Sequence, residues 1–207
     1  MGRYLGALCK LCRREGEKLF LKGDKCLSNC VMDKAKKKGV PGQNRRPMGK
    51  MGGYAKHLRE KQKARHISGI NEEQFRNYFR MAEKMSGLTG ENLLALLERR
   101  LDNVVHRMGF APSRRFARQM VGHGNILVNN RSKRAPGYKV KVGDTISVKN
   151  KMKENFYVKK TLERPESLPS WLSVDKEGKT GEIVALPTRA EVSYPLDESL
   201  IVELYSK

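Results

Sequence analysis

From Glu91 to Met108 the apolar residues recur at one helical spacing: Leu93, Leu94, Leu97, Leu101, Val104, Val105 and Met108. A stripe that wide must be buried against another element. It predicts one continuous helix over 91–108, stopped at Gly109, with a core built around it. The residues that follow supply partners. Pro112-Ser113 opens a short helix with Ser113 as N-cap. Its inward side is Phe116, Ala117, Met120 and Val121, and its other side presents Arg114, Arg115, Arg118 and Gln119. Gly122-His123-Gly124 breaks it. Asn125 to Val128 reads as a strand, Asn129-Asn130 as a turn that tolerates positive φ, and Tyr138, Val140 and Val142 alternate as a second strand. Gly143-Asp144 then turns into a third strand, Thr145 to Val148.

Upstream, Tyr54 to Ile67 predicts a helix ended by Gly69. It is polar nearly all round, and Lys56, Arg59 and Lys63 share a face. Such a helix is marginal alone. It reads either as solvated or as lying along phosphates. The next helix is better specified. Asn71 caps it, Glu72, Glu73 and Gln74 follow, and Phe75, Tyr78, Phe79, Ala82 and Met85 form an apolar stripe read as core.

The chain has 207 residues and a net charge of +21. The charge is uneven: +11 over residues 1–60, +14 over 61–160 and −4 over 161–207. Like charges at this density repel, and a polyanion relieves them. Nucleic acid is the favoured partner and an anionic membrane surface the weaker alternative. The acidic tail, with the single Trp171, reads as packing material. Apolar runs such as Leu93 to Leu97 are far shorter than the ~20 residues a spanning helix needs. Met1 to Gly6 shows no secretory pattern, so a cytoplasmic protein is expected.

All four cysteines fall within the first 30 residues, as Cys9-x2-Cys12-x13-Cys26-x3-Cys30. Two such elbows can bring four thiolates to one tetrahedral metal, and zinc suits them best. Lys10, Arg13, Arg14, Lys22 and Lys25 lie near enough in sequence to offset the charge. Two disulfides, free thiols or an iron–sulfur cluster remain alternatives. Residues 31–53 are a basic, Gly/Pro-rich linker expected to be ordered only by a partner. Catalytic signatures are missing: neither H-E-x-x-H nor G-x-S-x-G occurs, and Gly42 to Gly49-Lys50 fails the phosphate-loop spacing. His57, His66, His106 and His123 lie in basic stretches without an evident partner for catalysis. Asp102 reads as an ion-pair partner of Arg99 or His106.

The run Leu97-Glu98-Arg99-Arg100-Leu101-Asp102-Asn103-Val104-Val105-His106-Arg107-Met108-Gly109-Phe110-Ala111-Pro112-Ser113-Arg114-Arg115, with Gly122-His123-Gly124 and Val142-Gly143-Asp144, resembles the RNA-binding module of the ribosomal protein S4 family. Met1-Gly2-Arg3-Tyr4, the Cys9 and Cys12 elbow, Pro41-Gly42-Gln43 and the ending Leu200 to Ser206 resemble that family too. This chain departs from its pattern at Asn44-Arg45-Arg46, at Asn130 in the hairpin, and in the shorter loop between Cys26 and Cys30.

The resemblance implies an α+β fold. A helical N-terminal domain with a zinc-knuckle-like start would occupy 1–97: a four-cysteine metal-binding segment at 1–35, a linker at 36–53 and helices at 54–97. A small α/β-type S4 RNA-binding module, of two helices and an antiparallel sheet, would occupy 98–160, and 161–207 would pack on both. It implies a non-enzymatic protein of the cytoplasmic small ribosomal subunit. Such a protein binds small-subunit rRNA, nucleates assembly of its 5′ domain, and sits beside ribosomal protein S5, where it influences accuracy. Expected zinc ligands are Cys9, Cys12, Cys26 and Cys30. Expected RNA contacts are Arg3, Tyr4, Arg13, Arg14, Gln43, Arg59, Lys61, Lys63, Arg65, Arg99, Arg107, Ser113, Arg114, Arg115, Arg118, Gln119, His123 and Asn129.

Overall fold

The computed structural model describes residues 4–34, 39–42, 52–163, 168–192 and 194–206. Arg3, Gln43 and most of the 36–53 linker lie outside these described residues. The chain forms two compact units, residues 1–92 with 194–207, and residues 93–193.

The first unit is helical. It contains α1 (Leu8–Glu15), α2 (Asp24–Ser28), a short 3-10 turn, α3 (Gly53–Ser68), α4 (Glu72–Glu83) and the start of α5 (Thr89–Glu98). Gly69 takes a left-handed φ of 63°, and the Ile70 N–H closes back on the Arg65 carbonyl, which ends α3. The Asn71 side chain accepts from the Gln74 N–H and starts α4. Phe75, Tyr78, Phe79 and Ala82 are buried as the stripe requires, whereas Met85 lies beyond the helix and is exposed. The unit is completed by α10 (Glu198–Tyr205), which packs along α3. Tyr205 stacks on Phe79 at 4.4 Å and donates to Glu72 Oε1 at 3.2 Å.

The second unit carries α6 (Leu101–Arg107), α7 (Arg114–Gly122), β1 (Ile126–Val128), β2 (Arg131–Ser132), β3 (Thr145–Val148), α8 (Asn150–Lys153), α9 (Phe156–Leu162), β4 (Leu172–Asp175) and β5 (Thr180–Ile183). Its antiparallel sheet runs in the order β2-β1-β3-β5-β4. The chain is thus α+β, and no helix among the described residues is long and apolar enough to cross a membrane.

Three expectations need correction. The helix foreseen over 91–108 is two helices. Arg100 is extended (ψ 136°) and bridges Lys139, and the Leu101 N–H donates to the Tyr138 carbonyl at 2.8 Å. A tertiary pairing interrupts the helix while its apolar spacing passes through undisturbed, so periodicity could not reveal the break. Residues 138–142 form only that isolated bridge instead of a strand, because their backbone serves α6 and the turn at Asp144. The acidic tail is more than packing material: it supplies two of the five strands and buries Trp171, Leu172 and Ile183 in the core with Val105, Met108, Ile126 and Ile146. Two strands of this sheet thus lie beyond residue 160, in residues 172–183.

Candidate nucleic-acid interface

Helix α7 is placed by a buried polar network. Arg100 donates bidentately to Asp102, with its shorter bond at 2.8 Å, and Arg118 donates to the same carboxylate at 3.1 Å. Glu98 accepts from Arg107 and from Asn103, and Asn103 accepts from Arg114 at 2.6 Å. Each cation here is matched by an acceptor, which is what makes charge tolerable in such surroundings. Burial pushes the Arg114 guanidinium down to about 10, with the Arg107 charge adding to the effect, so it stays charged at neutral pH. Burial also pushes the His106 imidazole down to about 4, helped by the Arg114 charge. In its neutral form His106 donates Nδ1–H to the Ala111 carbonyl at 2.9 Å.

This network changes the expected contact face. Arg114 and Arg118, expected to project outward, turn back onto α6 and are half-buried, as is Arg107. Asp102 pairs with Arg100 and Arg118, not with Arg99 or His106. Arg99 spends its guanidinium on the Val140 carbonyl at 3.1 Å. Ser113 caps the Phe116 N–H as foreseen. On α7 and just after it, Arg115, Gln119 and His123 are the exposed members of the expected set.

The hairpin is locked from within. Asn129 and Asn130 both take positive φ, 50° and 61°, as a two-residue hairpin turn demands. The Asn129 side chain, expected on RNA, donates to Asp144 at 2.8 Å and accepts from the Thr145 N–H at 2.9 Å. Asp144 also accepts from the Lys141 N–H and the Tyr138 hydroxyl. After this turn Arg131, Arg134 and Lys141 are exposed, while Lys133 lies 5.0 Å over the Tyr138 ring. Sequence reasoning left these cations out of the contact set. The signal was available as the +14 balance of residues 61–160.

In the first unit the cations of α3 behave otherwise. Lys61 pairs with Glu72 at 2.7 Å, and Lys63 with Glu60 at 2.7 Å and Glu17 at 3.1 Å. Arg59 meets the buried Glu15 at 3.3 Å, and Arg65 meets Glu72 at 3.6 Å. The expected phosphate-facing helix thus turns these four cations onto carboxylates of its own unit. Arg13 is also committed, donating to the Gly39 carbonyl at 2.8 Å, whereas Tyr4 and Arg14 are exposed.

Near α1, Cys12, Cys26 and Cys30 are buried and Cys9 is half-buried, all four as free cysteines. Burial pushes the Cys12 and Cys26 thiols up, and Cys12 also feels the other three sulfurs. Cys26 Sγ accepts from the Lys22 N–H at 3.3 Å, and Cys30 Sγ from the Met32 N–H at 3.4 Å. This donor chemistry suits a thiolate metal site. Among the described residues, however, no group of three or more His, Cys, Asp or Glu side chains is arranged to hold an ion as it stands.

A helical unit followed by a small helix-and-sheet module edged by exposed cations defines a class of nucleic-acid-binding chain. Comparison with known proteins narrows it. A profile of the ribosomal protein S4/S9 N-terminal domain matches residues 3–98, and one of the S4 domain matches residues 99–146. The chain is 54% identical to small ribosomal subunit protein uS4 of Endomicrobium trichonymphae, 52% to that of Halothermothrix orenii, and 51% to uS4A of Clostridium novyi. Each match covers 100% of both chains. The chain belongs to the uS4 family of small ribosomal subunit proteins.

Proposed function

We propose that the chain is a structural, non-enzymatic component of the cytoplasmic small ribosomal subunit, which it joins by binding small-subunit rRNA. The observation that carries this reading is the exposed basic rim of the second unit, formed by Arg115, Arg131, Arg134 and Lys141 on elements that an internal polar network holds rigid. Cations fixed in place lose little entropy on meeting phosphates and read RNA by shape. Within the same reading the chain nucleates assembly of the 5′ domain and lies beside ribosomal protein S5, where it influences accuracy.

Footprinting on small-subunit rRNA tests the binding. Protection confined to the 5′ domain, with affinity falling steeply as salt rises, is the expected result. A flat salt response or scattered protection would reject it. Sucrose-gradient sedimentation separates a subunit protein from a free RNA-binding repressor, which would not migrate with small subunits.

Cys9, Cys12, Cys26 and Cys30 are further proposed to hold one zinc ion, which would cross-link the start of the chain. The buried sulfurs and their N–H donors support this reading. Elemental analysis of protein purified under reducing conditions should find about one equivalent. Four titratable thiols without metal would reject it.

A further inference from the structure

Aromatic rings carry a large apolar area, and folding normally turns them inward. Helix α9 does the opposite at its first two residues. Phe156 is 67% exposed and Tyr157 53%. Among the described residues this is the one place where two exposed rings meet, their centroids 5.7 Å apart. The helix that carries them is well anchored. Val158 and Leu162 seat it in the apolar core, and the Asn155 side chain caps it by accepting from the Tyr157 N–H at 2.9 Å. The Tyr157 ring also leans on the half-buried Phe116 ring at 5.6 Å.

The surroundings of the rings are basic. Residues 149–160 hold five lysines and one glutamate. That glutamate, Glu154, is shared by Lys159 and Lys179. The Lys160 ammonium lies 5.8 Å over the Phe156 ring. An apolar protein surface laid on the rings would also have to strip water from these ammoniums, which is costly without anions to meet them. An RNA strand answers both demands, because its bases cover the rings while its phosphates meet the lysines. The ring planes are inclined by 72° to each other. Bases laid on them do not continue one parallel stack as in an A-form helix. The shape suits unpaired bases splayed apart, as at a bulge or junction.

We infer that Phe156 and Tyr157 form a stacking platform for unpaired bases of the bound RNA, with Lys159 and Lys160 beside it for the adjoining phosphates. Every base has a π-face, so the platform holds single-stranded RNA without choosing among bases. Neither aromatic residue belongs to the contacts expected from the sequence. The inference rests on the rRNA-binding reading and adds a stacking contact to what is otherwise a phosphate-directed surface.

Two measurements on the full chain test it. In the first, NMR follows titration with a short unstructured RNA and with inorganic polyphosphate. The RNA should move the Phe156 and Tyr157 ring protons upfield, whereas polyphosphate should move only lysine signals. Rings that respond no more to RNA than to polyphosphate would overturn the platform and leave a protein partner as the occupant of this face. In the second, two double variants are titrated with a small-subunit rRNA fragment over a range of salt, with thermal melts confirming that each is folded. Phe156→Leu with Tyr157→Leu removes both rings, and Phe156→Tyr with Tyr157→Phe keeps them. Both side chains are exposed, so both variants are expected to fold. The leucine pair should bind at least about 10-fold more weakly, since one stacked base is worth roughly 5- to 100-fold. Its salt slope should match the parent's, because stacking releases no counterions. The ring-keeping pair should bind as the parent does. Parental affinity in the leucine pair would overturn the platform while leaving rRNA binding intact. Failure of the parent chain to bind the fragment would reject the rRNA reading, and the NMR titration would still decide the platform.

Discussion

The two units deal with positive charge in opposite ways. In the first, the cations of α3 are drawn onto Glu15, Glu17, Glu60 and Glu72 and act as internal struts. In the second, one carboxylate, Asp102, gathers Arg100 and Arg118, while Arg115, Arg131, Arg134 and Lys141 stay exposed. Charge density in the sequence is similar in both, so density alone does not mark a binding face. What separates them is the supply of acceptors within reach. The first unit sets a polar helix, α3, against buried Ile67, Phe75, Phe79 and Ile201, and its ion pairs supplement that apolar packing. The second has an apolar core that holds it, which releases cations to its rim.

The comparison breaks first if the core of the second unit is less important than its charges. Trp171 is almost fully buried there. Trp171→Ala should cost about 3–5 kcal/mol, visible as a lower midpoint in denaturant. Asp102→Ala leaves two guanidiniums without their shared carboxylate and should cost about 3 kcal/mol in the same measurement. If the first variant is nearly neutral while the second unfolds the unit, the second unit is held by its charges and not by its core.

Smaller effects sharpen the contrast. Lys63→Ala, which removes a buried ammonium and leaves Glu60 and Glu17 without their shared partner, should destabilise the protein by about 1–3 kcal/mol. The neutral His106 gives a pH dependence of definite sign. Its pKa falls from 6.5 to about 4 on folding, so between these values the unfolded chain takes up the proton first. Its contribution is complete above pH 6.5 and drains away as pH falls toward about 4. Stability measured across that window should fall less steeply in His106→Gln. Smallest of all, Arg115→Ala should leave stability within about 0.5 kcal/mol. If Arg115 meets one phosphate, its loss should lower the salt slope of RNA binding by about 1.

Much of this was legible from the chain itself, and most of the failures trace to partners distant in sequence. Ser113, Asn71, the αL end at Gly69 and the Asn129-Asn130 turn were readable because each is decided by neighbours a few residues away. The apolar sides of α4 and α7 follow from helical period for the same reason. The break at Arg100 was not readable, because its cause is a backbone pairing with Lys139. The commitments of Lys61, Lys63, Arg114 and Arg118 were not readable either. They depend on carboxylates and amides brought in by other turns of chain, and a face computed for one helix cannot show what will pack on it. The strands at 172–183 were missed because net acidity suggested a separate role for the tail, while burial of Leu172 and Ile183 is set by alternation in short segments.

Helix α10 packing on α3 has a consequence for synthesis. Residues 53–83 leave the ribosome long before residues 198–205 exist to cover them. At about 5–20 residues per second the interval is on the order of ten seconds. The sheet module, begun later, has all its strands once residue 183 has emerged. The unit that starts first therefore finishes second, and during that wait the ring faces of Phe75 and Phe79, later covered by Tyr205, lie open to any chaperone or neighbouring chain that reaches them.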